Sequence, residues 1–245
     1  MRFTRGAVAA VLVAGLGGLA ALAQPPGGGR GFGFGGGGPA QLVNSKTVQK
    51  ELKIDEDQAG KLKEWAKEWS GKVREKMQEA LKDVPMEERF QKMGALMAEM
   101  NKDAYKEIGA VLKEDQVKRL KQIEVQVAGS RAFSLPHVKD ALKITEEQEE
   151  KIRDVGRTSF KEIAELREEY GLKGFGGPKL EPDKQKEYDS KLAAITKDIL
   201  DKTLATLTDD QKKAYKELTG EVVDVAAIQR ENVPQFQGKR KKKDD

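Results

Sequence analysis

Apolar residues recur along this chain at steps of three and four, the spacing that lines one face of an α-helix. Between Leu62 and Val84 they are Leu62, Trp65, Ala66, Trp69, Val73, Met77, Ala80, Leu81 and Val84. A second stripe follows Pro85: Phe90, Met93, Met97, Met100, Ala104, Ile108 and Val111. Proline suits a first helical position, where its missing N–H would have had no partner. Each stripe predicts a helix of about 25 residues, about 37 Å long at the usual rise per residue. The later half repeats the arrangement. Ile152, Val155, Phe160, Ile163, Leu166 and Tyr170 form one stripe, Gly171–Pro182 is rich in turn residues, and Tyr188, Leu192, Ile195, Ile199 and Leu204 form the returning stripe. A shorter helix carries Ala214, Leu218 and Val222. Narrow stripes on long helices predict an all-α protein of antiparallel hairpins with coiled-coil-like seams.

The halves align. Val48–Gln58 matches Val138–Gln148 at an offset of 90 residues, and Leu112–Gln116 matches Leu207–Gln211 at an offset of 95. An internal repeat of this kind predicts two tandem units, 42–129 and 130–225, joined near Gly129-Ser130. The shared element is (Leu/Ile)-x-x-x-Gln, and it predicts a helix start. Asp55, Thr145 and Thr208 stand where a side-chain oxygen accepts from an exposed backbone N–H. Gln58, Gln148 and Gln211, three residues on, can reach back to complete a capping box. Acids between them favour the positive end of the helix dipole. The copy ending in Gln116 departs from the pattern, because Lys113 occupies the cap and cannot accept a hydrogen bond. That boundary is expected to be the weakest, or to be a bend in a continuous helix.

The chain's ends read differently. Met1–Arg5 is short and basic, residues 6–23 are apolar and small, and Ala21-Leu22-Ala23 fits a signal-peptidase site. Residues 1–23 therefore read as a cleaved secretory signal, with export to the periplasm expected and no membrane span after cleavage. Residues 24–41 are a Gly-rich, disordered linker, and 226–245 are expected to be a disordered basic tail. The chain contains no cysteine, so packing alone must hold it. Charged residues make up 35% and aromatics 6%, which suits long solvated helices. Without the signal's two arginines the balance is 43 basic to 41 acidic residues, and without the tail it is 38 to 39. A near-neutral body with its excess charge in a tail argues against a nucleic-acid partner.

These residues carry a resemblance. The chain resembles the Spy/CpxP family of periplasmic proteins, known for the LTxxQ motif, in three features. They are the leading ELKIDEDQAGKLKEW, the turn VPMEERFQKM at Val84–Met93, and a closing unit at Ala110–Ile123 and again at Ala205–Leu218. The likeness spans roughly Thr47 to Gly220 and holds four motif copies in the family's order. It implies curved, all-helical subunits that pair as homodimers. They act as ATP-independent chaperones or envelope-stress modulators, and a metal-binding branch exists. Two units in one chain suggest an intramolecular pseudo-dimer, with a homodimer as the alternative.

No catalytic constellation is visible: there is one histidine, His137, and no cysteine nucleophile. No cofactor is expected. A metal-sensing reading rests on His137 beside Asp140 and on Met93, Met97 and Met100, whose thioethers suit Cu(I). Core packing explains the same methionines, since they continue an apolar stripe. A chaperone needs a surface that holds unfolded or envelope proteins weakly, and Trp65, Trp69, Arg74, Arg89, Phe90 and Met93 are the candidates for it. The tryptophans also fit a helix seam. A structural adaptor docking to one envelope partner is the remaining alternative.

Overall fold

The computed structural model describes residues 38–172 and 180–232, and among the described residues there is no strand. The fold is all-α. Helices α1 (Pro39–Leu42), α2 (Lys46–Glu51), α3 (Glu56–Leu81), α4 (Met86–Ile108) and α5 (Glu114–Ala128) form the first unit. A 3-10 segment, Gly129–Ser134, leads to α6 (Pro136–Leu142), α7 (Glu146–Glu169), α8 (Pro182–Ala205) and α9 (Asp209–Thr219). The last described helix is α10 (Val225–Asn232). The signal-like segment, the Gly-rich run as far as Gly37, and Lys239–Lys243 lie outside the described residues.

α3 packs on α4 and α7 on α8, giving the two long hairpins. The repeat is visible down to backbone conformation. Lys53 and Lys143, 90 residues apart, both take a left-handed conformation with φ of 51° and 49°. Each lets the following isoleucine close back on its short helix: Ile54 N–H donates to Gln49 O at 3.0 Å and Ile144 N–H to Lys139 O at 3.3 Å. Such a closure satisfies carbonyls that the end of a helix would otherwise orphan.

Burial concentrates at the hairpin bases. One cluster gathers Leu42, Val48, Leu62, Ile108, Leu120 and Ile123, and a second gathers Phe133, Val138, Leu142, Leu200, Leu207 and Tyr215. Phe133 and Tyr215 stack with centroids 4.8 Å apart. On α7 the seam runs Ile152, Val155, Ser159, Ile163, Leu166. Phe160, expected on that stripe, is instead 63% exposed, because an unbroken step of three and four from Val155 to Ile163 passes through Ser159.

α5 lies at the centre. Ile123–Val127 are five consecutive buried residues, so the later half of this helix is enclosed on every side. Its partner across the units is α9, the repeat-equivalent helix. The contact is not reciprocal. Gln126 Nε2 donates to Thr219 O at 2.6 Å and Glu221 O at 2.7 Å, and its Oε1 accepts from Val223 N–H at 2.9 Å. Gln122 Nε2 donates to Glu217 O at 3.1 Å and Arg119 Nη1 to Glu221 O at 2.8 Å. Three side chains of α5 thus serve carbonyls at the end of α9 and just beyond it. Ala214, Glu217 and Glu221 stand at the equivalent positions of the second unit and do not return these bonds. A two-fold interface would require that they did.

Two boundaries differ from expectation. Pro39–Gln41 belong to α1 and not to a linker, because Leu42 and Val43 are fully buried and draw the chain into helix. Residues 226–232, expected in a disordered tail, are helical and complete the first unit. Val225 and Ile228 are buried in that unit's core. Glu231 accepts from Ser45 Oγ at 2.6 Å and from Thr47 Oγ1 at 2.8 Å, beside the start of α2.

Candidate functional site

The four motif glutamines do more than cap. Gln58 N–H donates to Asp55 Oδ1 at 2.8 Å and Asp55 N–H donates back to Gln58 Oε1 at 3.4 Å, a capping box. Thr145 with Gln148 and Thr208 with Gln211 make the same reciprocal pairs. The amides then meet across the unit. Gln58 Nε2 donates to Gln116 Oε1 at 2.8 Å, and Gln116 Nε2 donates back at 3.2 Å. Their remaining donors reach Val111 O at 3.0 Å and Leu52 O at 2.9 Å. In the second unit Gln148 and Gln211 exchange bonds of 2.7 and 2.9 Å and donate to Thr206 O and Leu142 O. These carbonyls are repeat-equivalent to Val111 and Leu52. Each unit is therefore closed at its base by one amide pair. Capping alone needs only an acceptor and would admit glutamate. The clamp needs two N–H donors and an oxygen with two lone pairs, which glutamine supplies.

Lys113 does occupy a cap position, with extended backbone (φ −69°, ψ 160°), and its side chain accepts nothing. Its N–H still donates to Gln116 Oε1 at 2.9 Å. The helix does not run through: α4 ends at Ile108 and α5 starts at Glu114. The expected bend is thus a complete break, because the Gln116 clamp and burial of Leu112 hold the turn without the missing cap.

The proposed client-binding residues separate. Trp65 and Trp69 stack at 5.5 Å inside the α3–α4 seam, where Trp69 is buried. Trp65 Nε1 donates to Glu107 Oε2 at 2.8 Å, and Lys72 Nζ donates to Glu107 Oε1 at 3.1 Å. Burial raises the Glu107 carboxyl, but these two hydrogen bonds outweigh it and hold the group below its ordinary value. The tryptophans are seam residues. Arg74 and Arg89 flank an open groove of about 500 Å³ on the outer half of the hairpin. Its floor is Val73, Met77 and Leu81, spaced by four on α3 and half-buried, and Arg74, Lys82 and Arg89 are its cations. No carboxylate lines it among the described residues. Arg89 also donates from Nε to Val84 O at 2.8 Å, fixing the turn. Met93 is half-buried, and the Phe90 side chain lies outside the described residues. Beyond Trp69 on α3 and before Met100 on α4, no described side chain is buried.

Met100 is 2% exposed and packs with Trp69 and Ala104, so it offers no thioether to an outside metal. His137 turns away from a surface site. It faces Glu124, a carboxylate only 1% exposed that accepts from Asn101 and Tyr105. Among the described residues no group of three or more His, Cys, Asp or Glu is placed to hold a metal, and no helix is long and apolar enough to cross a membrane. Glu124, Gln122 and Gln126 escape periodicity reading. The only hint is the run Gln122-Ile-Glu-Val-Gln126, whose alternation of polar and apolar residues does not fit a single helical stripe. No family model, curated protein or solved structure matches the chain significantly.

Proposed function

We propose that this chain is an exported, cofactor-independent chaperone-like protein that holds unfolded polypeptide on the outer half of its first hairpin. The observation that carries the reading is the seam's change of character along α3 and α4. At the base the stripe is sealed by Leu62, Ala66 and Trp69, while further out Val73, Met77 and Leu81 remain half-exposed beside three cations. An open apolar strip sets no shape requirement on what it holds, and each side chain contributes only part of the ~1.5–3 kcal/mol of full burial, so binding is weak and unselective. Cations around the strip speed encounter with acidic stretches of client without adding much affinity. The resemblance to Spy/CpxP proteins supports the same reading, as does the N-terminal pattern for export. In this reading no residue is catalytic, and the two units pair within one chain as a pseudo-dimer without two-fold symmetry, which light scattering on residues 24–245 tests.

The functional test is suppression of aggregation of several unrelated unfolded clients by the 24–245 chain. Protection of most clients is expected, reduced severalfold in a Val73→Ser, Met77→Ser, Leu81→Ser variant of unchanged helicity. Protection of none sinks the reading. Protection of one client alone marks a dedicated adaptor instead.

A further inference from the structure

The joint between the two units encloses a carboxylate with no matching cation. Glu124 on α5 is 1% exposed. From α4, Asn101 Nδ2 donates to its Oε1 at 2.7 Å and Tyr105 OH to its Oε2 at 2.8 Å. From the first turn of α6, in the second unit, His137 brings Nδ1 to 3.8 Å from Oε2, too long for a hydrogen bond. The His137 ring lies edge-on to Tyr105 at 5.9 Å, and its Nε2 is buried without a hydrogen-bond partner. The other charges acting here are Lys121, one turn earlier on α5 with Nζ over the Tyr105 ring at 5.1 Å, and Asp140 on α6. Arg131 of the 3-10 segment forms no ion pair with Glu124, and no lysine or arginine does so among the described residues.

A buried carboxylate lacking a counter-charge is relieved in one of two ways: it binds a proton, or water reaches it. Water can reach Glu124 only if its packed neighbours part. We propose that the place where α4 and α5 meet α6 is a proton-operated joint, closed while Glu124 carries its proton and loosened when it loses it. The protonated carboxyl faces the neutral imidazole of His137 across the joint without a buried charge, so a proton on Glu124 removes the drive for water to part the two units. Desolvation pushes Glu124 up to about 7, against hydrogen bonds from Tyr105 and Asn101 and the charge of Lys121. Burial, followed by the charge of Lys121, pushes His137 down to about 4, with Asp140 opposing.

The signs follow from linkage. The raised Glu124 gives stability that is complete below its ordinary 4.5 and lost as pH rises through about 7. The depressed His137 gives stability present above 6.5 and lost as pH falls towards about 4. Between pH 6 and 8 the first effect favours opening about tenfold and the second opposes it about fourfold, a net rise of roughly two- to threefold.

The experiment is amide hydrogen exchange across α6 on residues 24–245 at pH 6 and 8, corrected for intrinsic rates, with and without Glu124→Gln. Glutamine keeps an acceptor and a donor for Asn101 and Tyr105 but cannot titrate. The wild type is expected to open more at pH 8, and E124Q to reverse that trend, opening roughly fourfold less at pH 8 than at pH 6. The single histidine gives a check that needs no variant. Its side-chain NMR signals should show an inflection near pH 7, where Glu124 titrates, while the ring stays neutral, and the ring should protonate only as pH falls towards about 4. Identical pH trends for wild type and E124Q, or a His137 that becomes imidazolium near its ordinary 6.5, overturns the proposal.

Discussion

Replacing Gln116 by glutamate separates a capping role from a clamping role, because the two predict opposite signs. As a cap partner, glutamate at the third helical position is as good as glutamine, and its charge adds a few tenths of a kcal/mol at the helix N-terminus. As a clamp it fails. Gln116 Nε2 donates to Leu52 O at 2.9 Å and to Gln58 Oε1 at 3.2 Å in a site 7% exposed. A carboxylate removes both donors, at about 1 kcal/mol each, and leaves buried acceptors facing one another at a further 1–3 kcal/mol or so. The dipole gain offsets little of this, so Gln116→Glu should destabilise by about 3 kcal/mol. Urea unfolding followed by circular dichroism should show a midpoint lower by about 1 M, if the slope is in the ~2–3 kcal/mol/M range and unchanged. Lowering the pH protonates the new carboxyl, returns one donor and should recover part of the loss. The matching Gln211→Glu change lies in a half-buried pair and should cost less, about 1–2 kcal/mol. A Gln116→Glu protein as stable as the wild type would refute the clamp and leave only capping.

Other expectations follow from the same contacts. Lys113→Asp places an acceptor on backbone already in cap geometry and should stabilise by about 1 kcal/mol, read as a raised urea midpoint; no gain would mean the turn is fully held by other contacts. Gly220 has φ of 61°, and a Cβ there would collide with the Gln122 amide, so Gly220→Ala should cost about 2 kcal/mol or more. Adding Gln122→Ala should remove the clash but not the backbone cost, and a double-mutant cycle measures the difference. Ending the chain at Asp224 removes Ile228 and Val225 from the first core together with the Glu231 bonds. Hydrogen exchange should then quicken in α2 and α5, with α7 and α8 little changed, and equal quickening everywhere would contradict the packing of α10 on the first unit.

Much of the architecture is written in local pattern. Steps of three and four place the long helices, and the repeat predicts two matching hairpins, because helical periodicity is a property of neighbouring residues. Capping is equally local, so Asp55, Thr145 and Thr208 declare their helix starts within four residues of chain. What periodicity missed is set by distance. Ser159 in place of Phe160 on the seam depends on which face α8 covers. The open strip around Arg74 exists because the sealed part of the seam ends near Trp69, whereas the tryptophans, equally eligible by sequence, lie within it. The burial of Glu124 depends on α4 and α6 arriving from different units.

The glutamines show the division most plainly. Sequence alone determined that a glutamine would stand at the first turn of each repeated helix, since a cap and its partner are three residues apart. Only the tertiary structure decided that Gln58 meets Gln116 and Gln148 meets Gln211, across 58 and 63 residues of chain. A side-chain amide holds more hydrogen-bonding capacity than one cap can use, and the rest is spent wherever packing brings a second amide and an orphan carbonyl within 3 Å or so.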